Sequence, residues 1–219
     1  MTMANFNAQF NREKEYWIKS LDFPTWYRYY FLIKEVLDNK FTNILEIDPG
    51  SGIIENILKE KIENYVTMDI NPNLNPTVVG DLRKFALSLQ SKFECVICAD
   101  VLEHMPFKDL ELNLKNIFKY LVEDAEALIT IPHHRKEIMI IYRFPGYKTL
   151  FFSLPTWATP SGFYQWFIKK RCGIDPYHCW EIGDKKVKRQ EVEKVMKRVG
   201  FKISKFMELP YVDFWVLKK

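Results

Sequence analysis

The chain has 219 residues, of which 47% are hydrophobic and 27% are charged. These fractions are close to the averages of globular proteins, so they exclude a disordered chain, and the 8 glycines and 11 prolines are too few for a collagen-like or linker-like one. The net charge of +4 is too small by itself to indicate a nucleic-acid-binding protein. Aromatic residues are abundant at 16%, and they predict bulky apolar surfaces beyond an ordinary core.

The beginning of the chain predicts a helix and no targeting segment. Pro24 opens an apolar stretch that runs to Leu37, which is typical of a helix. The first residues lack the apolar core of a signal peptide, and no stretch reaches the roughly 18 apolar residues of a membrane span. We therefore expect a cytoplasmic protein with no membrane partner.

Strand and helix patterns then alternate along residues 43–131. Apolar runs predict strands, and helical spacing of apolar residues predicts the segments between them. The predicted strands are 43–47, 65–68, 77–79, 93–98 and 127–131, and the predicted helices are 53–61, 84–90 and 109–121. This alternation is typical of an α/β fold, with a parallel sheet and helices on both faces.

The remainder of the chain departs from this alternation. Residues 132–182 are rich in proline and aromatic residues, and they predict a cap with one short helix near 162–171. A helix over 187–199, with Gly200 at its end, and a terminal hairpin over 201–217 follow. We expect one domain, residues 1–219, with a helical cover at 1–40 and a cap insertion at 132–186.

Two cysteines, Cys95 and Cys98, have the spacing of some metal and redox sites. They lie on a predicted strand, however, where residues three apart point to opposite faces of the sheet. We therefore interpret them as two small core residues, and we predict no metal site in this chain.

A glycine-containing turn follows the first predicted strand and opens the next helix. It reads Glu46-Ile47-Asp48-Pro49-Gly50-Ser51-Gly52. Glycines there let the backbone approach a ligand, and the helix N-terminus offers N–H groups to a carboxylate or phosphate. Asp69, which ends the next strand, has the spacing of an acid that hydrogen-bonds ribose hydroxyls. These features indicate a nucleotide or nucleoside ligand without choosing between cofactors.

Three further motifs follow this turn in order. They are Met68-Asp69-Ile70, Gly80-Asp81-Leu82 and Cys98-Ala99-Asp100-Val101-Leu102-Glu103-His104-Met105. Together the four motifs resemble those of the class I S-adenosylmethionine-dependent methyltransferases, in a small-molecule branch similar to methyltransferase types 11 and 12. The resemblance implies a Rossmann-like fold with a seven-stranded, mostly parallel sheet, an antiparallel last strand and helices on both faces.

The resemblance also implies a role for each motif residue. Glu46 would orient the glycine turn, Asp69 would bind the ribose, and Asp81 would bind the adenine amino group. Asp100 would border the methionine moiety of the cofactor. The implied binding residues for S-adenosyl-L-methionine, and for its product S-adenosyl-L-homocysteine, are Glu46, Ile47, Asp48, Gly50, Gly52, Asp69, Ile70, Asp81, Leu82, Asp100 and Val101.

One residue departs from the family pattern, because Asp48 stands where the family has its first glycine. A residue before proline is biased towards extended geometry, so the turn is still expected to form. The Asp48 carboxylate would lie near the methionine part of the cofactor, where it would repel the carboxylate or attract the sulfonium. The alternative is that Asp48 points to solvent or caps the following helix.

Candidate catalytic residues are the histidines that follow strand ends. Methyl transfer is an in-line displacement, so alignment supplies much of the acceleration, and an oxygen or nitrogen acceptor can also need a base. His104 follows the fourth predicted strand and His133 the fifth, where ligands bind in open α/β sheets. A structural role for His104 and a solvated loop position for His133 are the alternatives.

The sequence therefore predicts a methyltransferase that acts on a small or medium-sized acceptor beneath an aromatic cap. Methylation of RNA or protein is a second hypothesis, which the modest charge disfavours. A nicotinamide-dependent oxidoreductase is disfavoured because Glu55 stands where its fingerprint has a small residue. A non-catalytic binding protein with a degenerate methyltransferase fold is a further alternative, motivated by Asp48. Nothing in the sequence indicates an oligomeric state.

Overall fold

A computed structural model describes residues 23–133, 137–142, 150–155, 177–183 and 187–219 of the chain. The predicted helix near 162–171 lies outside the described residues, as does most of the predicted cap. Among the described helices, none combines the length and apolarity needed to cross a membrane.

Seven strands form the central sheet, and two more form a separate hairpin. In chain order the strands are β1 (Asn43–Ile47), β2 (Asn64–Asp69), β3 (Val78–Val79), β4 (Phe93–Ala99), β5 (Leu121–Pro132), β6 (Glu137–Tyr142), β7 (Leu150–Pro155), β8 (Lys202–Glu208) and β9 (Val212–Lys218). The order in the sheet is β3-β2-β1-β4-β5-β9-β8, and β6 pairs with β7 alone. β1 to β5 pair in parallel, whereas β9 pairs antiparallel with both β5 and β8. The predicted mostly parallel sheet with an antiparallel last strand is confirmed.

In the described part of the chain, four helices cover the two faces of this sheet: α1 (Phe23–Asn39), α2 (Ile53–Leu58), α3 (Leu110–Tyr120) and α4 (Arg189–Val199). Leu32 and Val36 of α1 pack with α2 residues in one apolar cluster, and α3 and α4 contribute to a second. Strand residues alternate between the two clusters, since Cys95 belongs to the first and Cys98 to the second. Both thiols are buried and free, which confirms their interpretation as core residues on opposite faces.

One predicted element is wrong. Residues 84–90 form no α-helix, and only a short 3-10 turn at Leu87–Leu89 is present. Ala86 is extended and donates its backbone N–H to the hydroxyl of Tyr120 over 3.1 Å. The Phe85 ring stacks on the same tyrosine at 5.5 Å. These contacts with α3 replace the intrahelical hydrogen bonds that the local spacing favoured.

Candidate functional site

An open cleft lies at the carboxyl ends of the parallel strands and holds about 600 Å³ of space, part of which is open to solvent. Its lining comes from the ends of β1, β2 and β4 and from the segment after β3. The lining residues are Ile47, Asp48, Met68, Asp69, Ile70, Gly80, Asp81, Leu82, Arg83, Val101, His104 and Met105. In open α/β sheets this edge is where ligands bind.

The cleft brings together most of the residues that the sequence singled out. Those that line it are Ile47, Asp48, Asp69, Ile70, Asp81, Leu82, Val101 and His104. Those outside the lining are Glu46, Gly50, Gly52, Asp100 and His133. The first group supplies three carboxyl groups and several apolar walls to the cleft.

The turn after β1 depends on left-handed backbone. Gly50 and Gly52 have φ of 50° and 71°, a region that glycine enters without steric cost. Asp48 has φ of 55°, so the expectation of extended geometry at this residue is wrong. Its N–H donates to the carbonyl of Met68 over 2.8 Å, which ties the turn to β2. Aspartate tolerates this conformation better than most residues, so the family's glycine position keeps a left-handed backbone without glycine.

The carboxyl groups at this end of the sheet perturb one another. Burial, the charge and hydrogen bond of Asp69 and the charge of Glu46 together raise the pKa of Asp48 to about 8, with burial the largest cause. Glu46 itself lies below the turn, where its Oε2 accepts a hydrogen bond from the Tyr65 hydroxyl at 2.8 Å. Asp48 is therefore mostly a neutral acid at pH 7, and the acidic groups around it favour a cation.

The next two acids are fixed by neighbouring donors. Asp69 is buried, and its Oδ1 accepts the N–H of Asn71 at 2.7 Å. Asp81 accepts hydrogen bonds from Nε and Nη2 of Arg83, the latter at 2.7 Å, and this pairing lowers the pKa of Asp81. Arg83 lines the cleft too and was missed by the sequence analysis, where only its position two residues after Asp81 could have signalled it.

Helix α1 reaches the same edge of the sheet. Arg28 forms an ion pair with Asp100, which follows β4 and also accepts a hydrogen bond from the Thr130 hydroxyl at 2.6 Å. The Tyr29 hydroxyl lies 3.4 Å from Oγ of Ser51 in the glycine turn. No sequence signal pairs α1 with these positions, because Arg28 and Asp100 meet only through the tertiary fold.

The two candidate catalytic histidines occupy different surroundings. His104 lines the cleft, and its Nδ1 lies 3.1 Å from the carbonyl oxygen of Tyr177. His133 is buried at the end of β5, with its Nε2 3.0 Å from the carbonyl oxygen of Leu209. The structure thus brings His104 to the cleft and places His133 against the segment before β9.

Comparison with known proteins agrees with this architecture. The structure is similar to that of the N-methyltransferase NodS from Bradyrhizobium japonicum WM9, with a TM-score of 0.63 and 11% identity over 94% of this chain and 93% of that one. It is also similar to an S-adenosylmethionine-dependent methyltransferase from Clostridium acetobutylicum ATCC 824, with a TM-score of 0.59 and 13% identity over 91% and 93% of the two chains. The magnesium protoporphyrin IX methyltransferase from Synechocystis PCC 6803 gives a TM-score of 0.59 and 11% identity over 91% and 89%.

No curated protein sequence matches the chain significantly. A family model described as a methyltransferase domain, however, matches residues 25–205. This match extends from α1 into β8 and includes every residue that lines the cleft. The chain therefore belongs to this family of methyltransferase domains.

Proposed function

We propose that this protein is an S-adenosyl-L-methionine-dependent methyltransferase for a small or medium-sized acceptor. The observation that carries the proposal is the cleft at the carboxyl ends of β1, β2 and β4, where the motif residues converge. Structural neighbours such as NodS contain S-adenosyl-L-homocysteine, and this supports the same cofactor here. The cofactor would supply a methyl group bonded to a positively charged sulfur.

The residues of the cleft fit such a cofactor from one end to the other. Asp69 lies at the end of β2, where its second carboxylate oxygen is suited to ribose hydroxyls. Ile70 and Leu82 offer apolar surfaces to an adenine ring, and Asp81 an acceptor for its amino group. Asp48 lies beside Asp69 as a neutral acid that can ionise when a cation binds. Together these residues offer hydrogen-bond acceptors, apolar walls and an acid that can become negatively charged. This combination suits a nucleoside with a cationic end.

The remaining parts of the fold would enclose the acceptor. We assign residues 1–40 as a cover, because Arg28 and Tyr29 of α1 reach the residues after β4 and in the glycine turn. We assign residues 132–186 as the cap, since Tyr177 contacts His104 at the cleft. His104 is then the side chain best placed to meet an acceptor, while the buried position of His133 favours a structural role.

A cytoplasmic location accompanies this proposal. The three described cysteines, Cys95, Cys98 and Cys179, are free thiols. Free thiols are typical of proteins that work in a reducing compartment. A small-molecule acceptor agrees with the modest net charge of +4, which favours neither RNA nor an acidic protein surface.

Calorimetric titration with S-adenosyl-L-homocysteine tests the cofactor assignment. Asp69→Asn keeps the oxygen that accepts the Asn71 N–H but removes the charge offered to the ribose, so we expect roughly 10- to 100-fold weaker binding. Asp38→Asn, at an exposed aspartate of α1, is the matched control and should bind like the wild type.

Titration with NAD in parallel separates the rival functions. Binding of NAD without S-adenosyl-L-homocysteine would indicate an oxidoreductase. Binding of neither compound by the folded wild type would indicate a degenerate binding protein. Equal affinity of the wild type and Asp69→Asn for S-adenosyl-L-homocysteine would contradict the assigned ribose contact.

A further inference from the structure

Beside the cleft, three side chains with metal-binding chemistry converge. Glu103 and His104 belong to a 3-10 turn, Leu102–His104, that follows β4, and His178 belongs to the segment 177–183. One ligand atom from each of the three lies within 4.8 Å of the others. We call Glu103, His104 and His178 the triad.

Glu103 is the observation that most needs an explanation. Its side chain is fully buried, and neither carboxylate oxygen accepts a hydrogen bond from another described residue. Its Oε1 lies 4.0 Å from Nε2 of His178, beyond hydrogen-bond distance. A buried carboxylate is costly unless a cation or proton compensates it. A cation that lay between Glu103 and His178 would compensate this buried charge.

Each of the two histidines is oriented by a hydrogen bond at its Nδ1. The Tyr177 carbonyl can only accept, so Nδ1 of His104 carries the hydrogen and Nε2 has the lone pair. His178 Nδ1 lies 2.8 Å from the buried Glu181 carboxylate, which leaves its Nε2 directed towards Glu103. Carbonyl and carboxylate partners of this kind orient metal-binding histidines and fix their tautomers.

The two segments that carry the triad are held together by further hydrogen bonds. The backbone N–H of Cys179 donates to the carbonyl of Glu103 over 2.8 Å. The indole N–H of Trp180 donates to the carbonyl of Met105 over 2.9 Å. The ring centroids of His104 and His178 lie 4.9 Å apart as a result. The triad is thus a preorganised cluster rather than a chance meeting of mobile side chains.

We propose that Glu103, His104 and His178 form a binding site for one divalent transition-metal ion of the Zn²⁺ type. Two imidazoles with one carboxylate suit such ions better than Mg²⁺ or Ca²⁺, which prefer oxygen ligands. At the usual metal–ligand bond lengths of about 2.0–2.2 Å, two ligand atoms on one ion lie roughly 3–3.5 Å from each other. The ligand atoms of the triad lie within 4.8 Å of one another, so these separations need to shorten by only about 1–2 Å.

The position of the triad also suggests what the ion would do. Three protein ligands leave at least one coordination position open, as in catalytic zinc sites. Because His104 lines the cleft, the open position would face the bound ligands. An open position there favours an acceptor that presents an oxygen atom to the ion, such as a hydroxyl compound. This step rests on the proposed methyltransferase function. The triad would then select and orient the acceptor.

Metal binding can be measured without the cofactor. Chelator-treated wild-type protein should bind one equivalent of Zn²⁺ in calorimetric titration. Glu103→Gln and His178→Asn should each bind it at least about 100-fold more weakly. Glu181→Gln removes only the charge behind His178 and should weaken binding about 10- to 100-fold. His133→Asn, which removes a histidine outside the triad, is the control and should keep the wild-type affinity, with circular dichroism used to verify the fold of each variant.

Co²⁺ provides a second readout that reports the open position. Co²⁺ bound to the triad should give a visible absorption band that changes when azide is added and is absent in Glu103→Gln. Failure of the folded wild type to bind Zn²⁺, or equal binding by the triad variants, would overturn the proposal. Titration with S-adenosyl-L-homocysteine separates this outcome from failure of the methyltransferase assignment, because Glu103→Gln should still bind that compound.

Discussion

The half-buried Asp48 in the glycine turn allows a quantitative prediction about cofactor binding. The pKa of Asp48 is about 8, because burial and the charges of Asp69 and Glu46 disfavour its ionised form. A cationic sulfonium favours that ionised form instead, so binding of S-adenosyl-L-methionine should release the proton of Asp48. Its affinity should therefore fall as the pH is lowered through 8. Asp48→Asn should remove this dependence while retaining a residue that tolerates φ of 55°.

The size of the effect follows from proton linkage. An opposite charge nearby lowers the pKa of a carboxyl group by about 1–3 units. A fall of about 2 units, from about 8 to about 6, makes the affinity at pH 8 roughly 25-fold higher than the affinity at pH 6. S-adenosyl-L-homocysteine has the same amino and carboxyl groups but no sulfonium charge, so its own pH dependence should be smaller.

The assay is calorimetric titration of both compounds between pH 6 and pH 9, for the wild type and for Asp48→Asn. The ratio of the two dissociation constants at each pH cancels the titration of the shared amino group. In the wild type this ratio should favour S-adenosyl-L-methionine increasingly as the pH rises, and in Asp48→Asn it should be constant. A constant ratio in the wild type, or the same slope in both proteins, would refute the reasoning.

Two further predictions concern stability. Arg189 donates two hydrogen bonds to the fully buried carboxylate of Asp213, so Arg189→Met should lower the free energy of unfolding by about 3 kcal/mol in urea denaturation. Adding Asp213→Asn should restore part of that loss, and equal stability of Arg189→Met and the wild type would contradict the claimed cost of an unpaired buried charge. Gly200 ends α4 with φ of 118°, and an added Cβ would lie 3.3 Å from the Phe118 ring. Gly200→Ala should therefore destabilise the protein by roughly 1–2 kcal/mol, and an unchanged melting temperature would show that the turn adjusts without strain.

Local patterns were sufficient for most of the fold. The alternation of apolar runs and helical spacing predicted the parallel strands β1 to β5, because each pattern reports which face of one element is buried. The C-cap at Gly200 and the left-handed turn at Gly50 and Gly52 were also readable, since glycine is favoured where φ is positive. Local patterns failed at residues 84–90, where the Tyr120 hydroxyl and ring compete for the backbone and for Phe85.

The sequence by itself determined the class of fold and the acids expected at the cofactor cleft, because both depend on short spacings within single elements. Only the tertiary structure decided which distant residues meet there. Arg28 reaches Asp100 because α1 packs beside the strand ends, and His178 reaches Glu103 and His104 because hydrogen bonds hold its segment against the turn after β4. These contacts join residues more than 70 positions apart, and no local spacing encodes them.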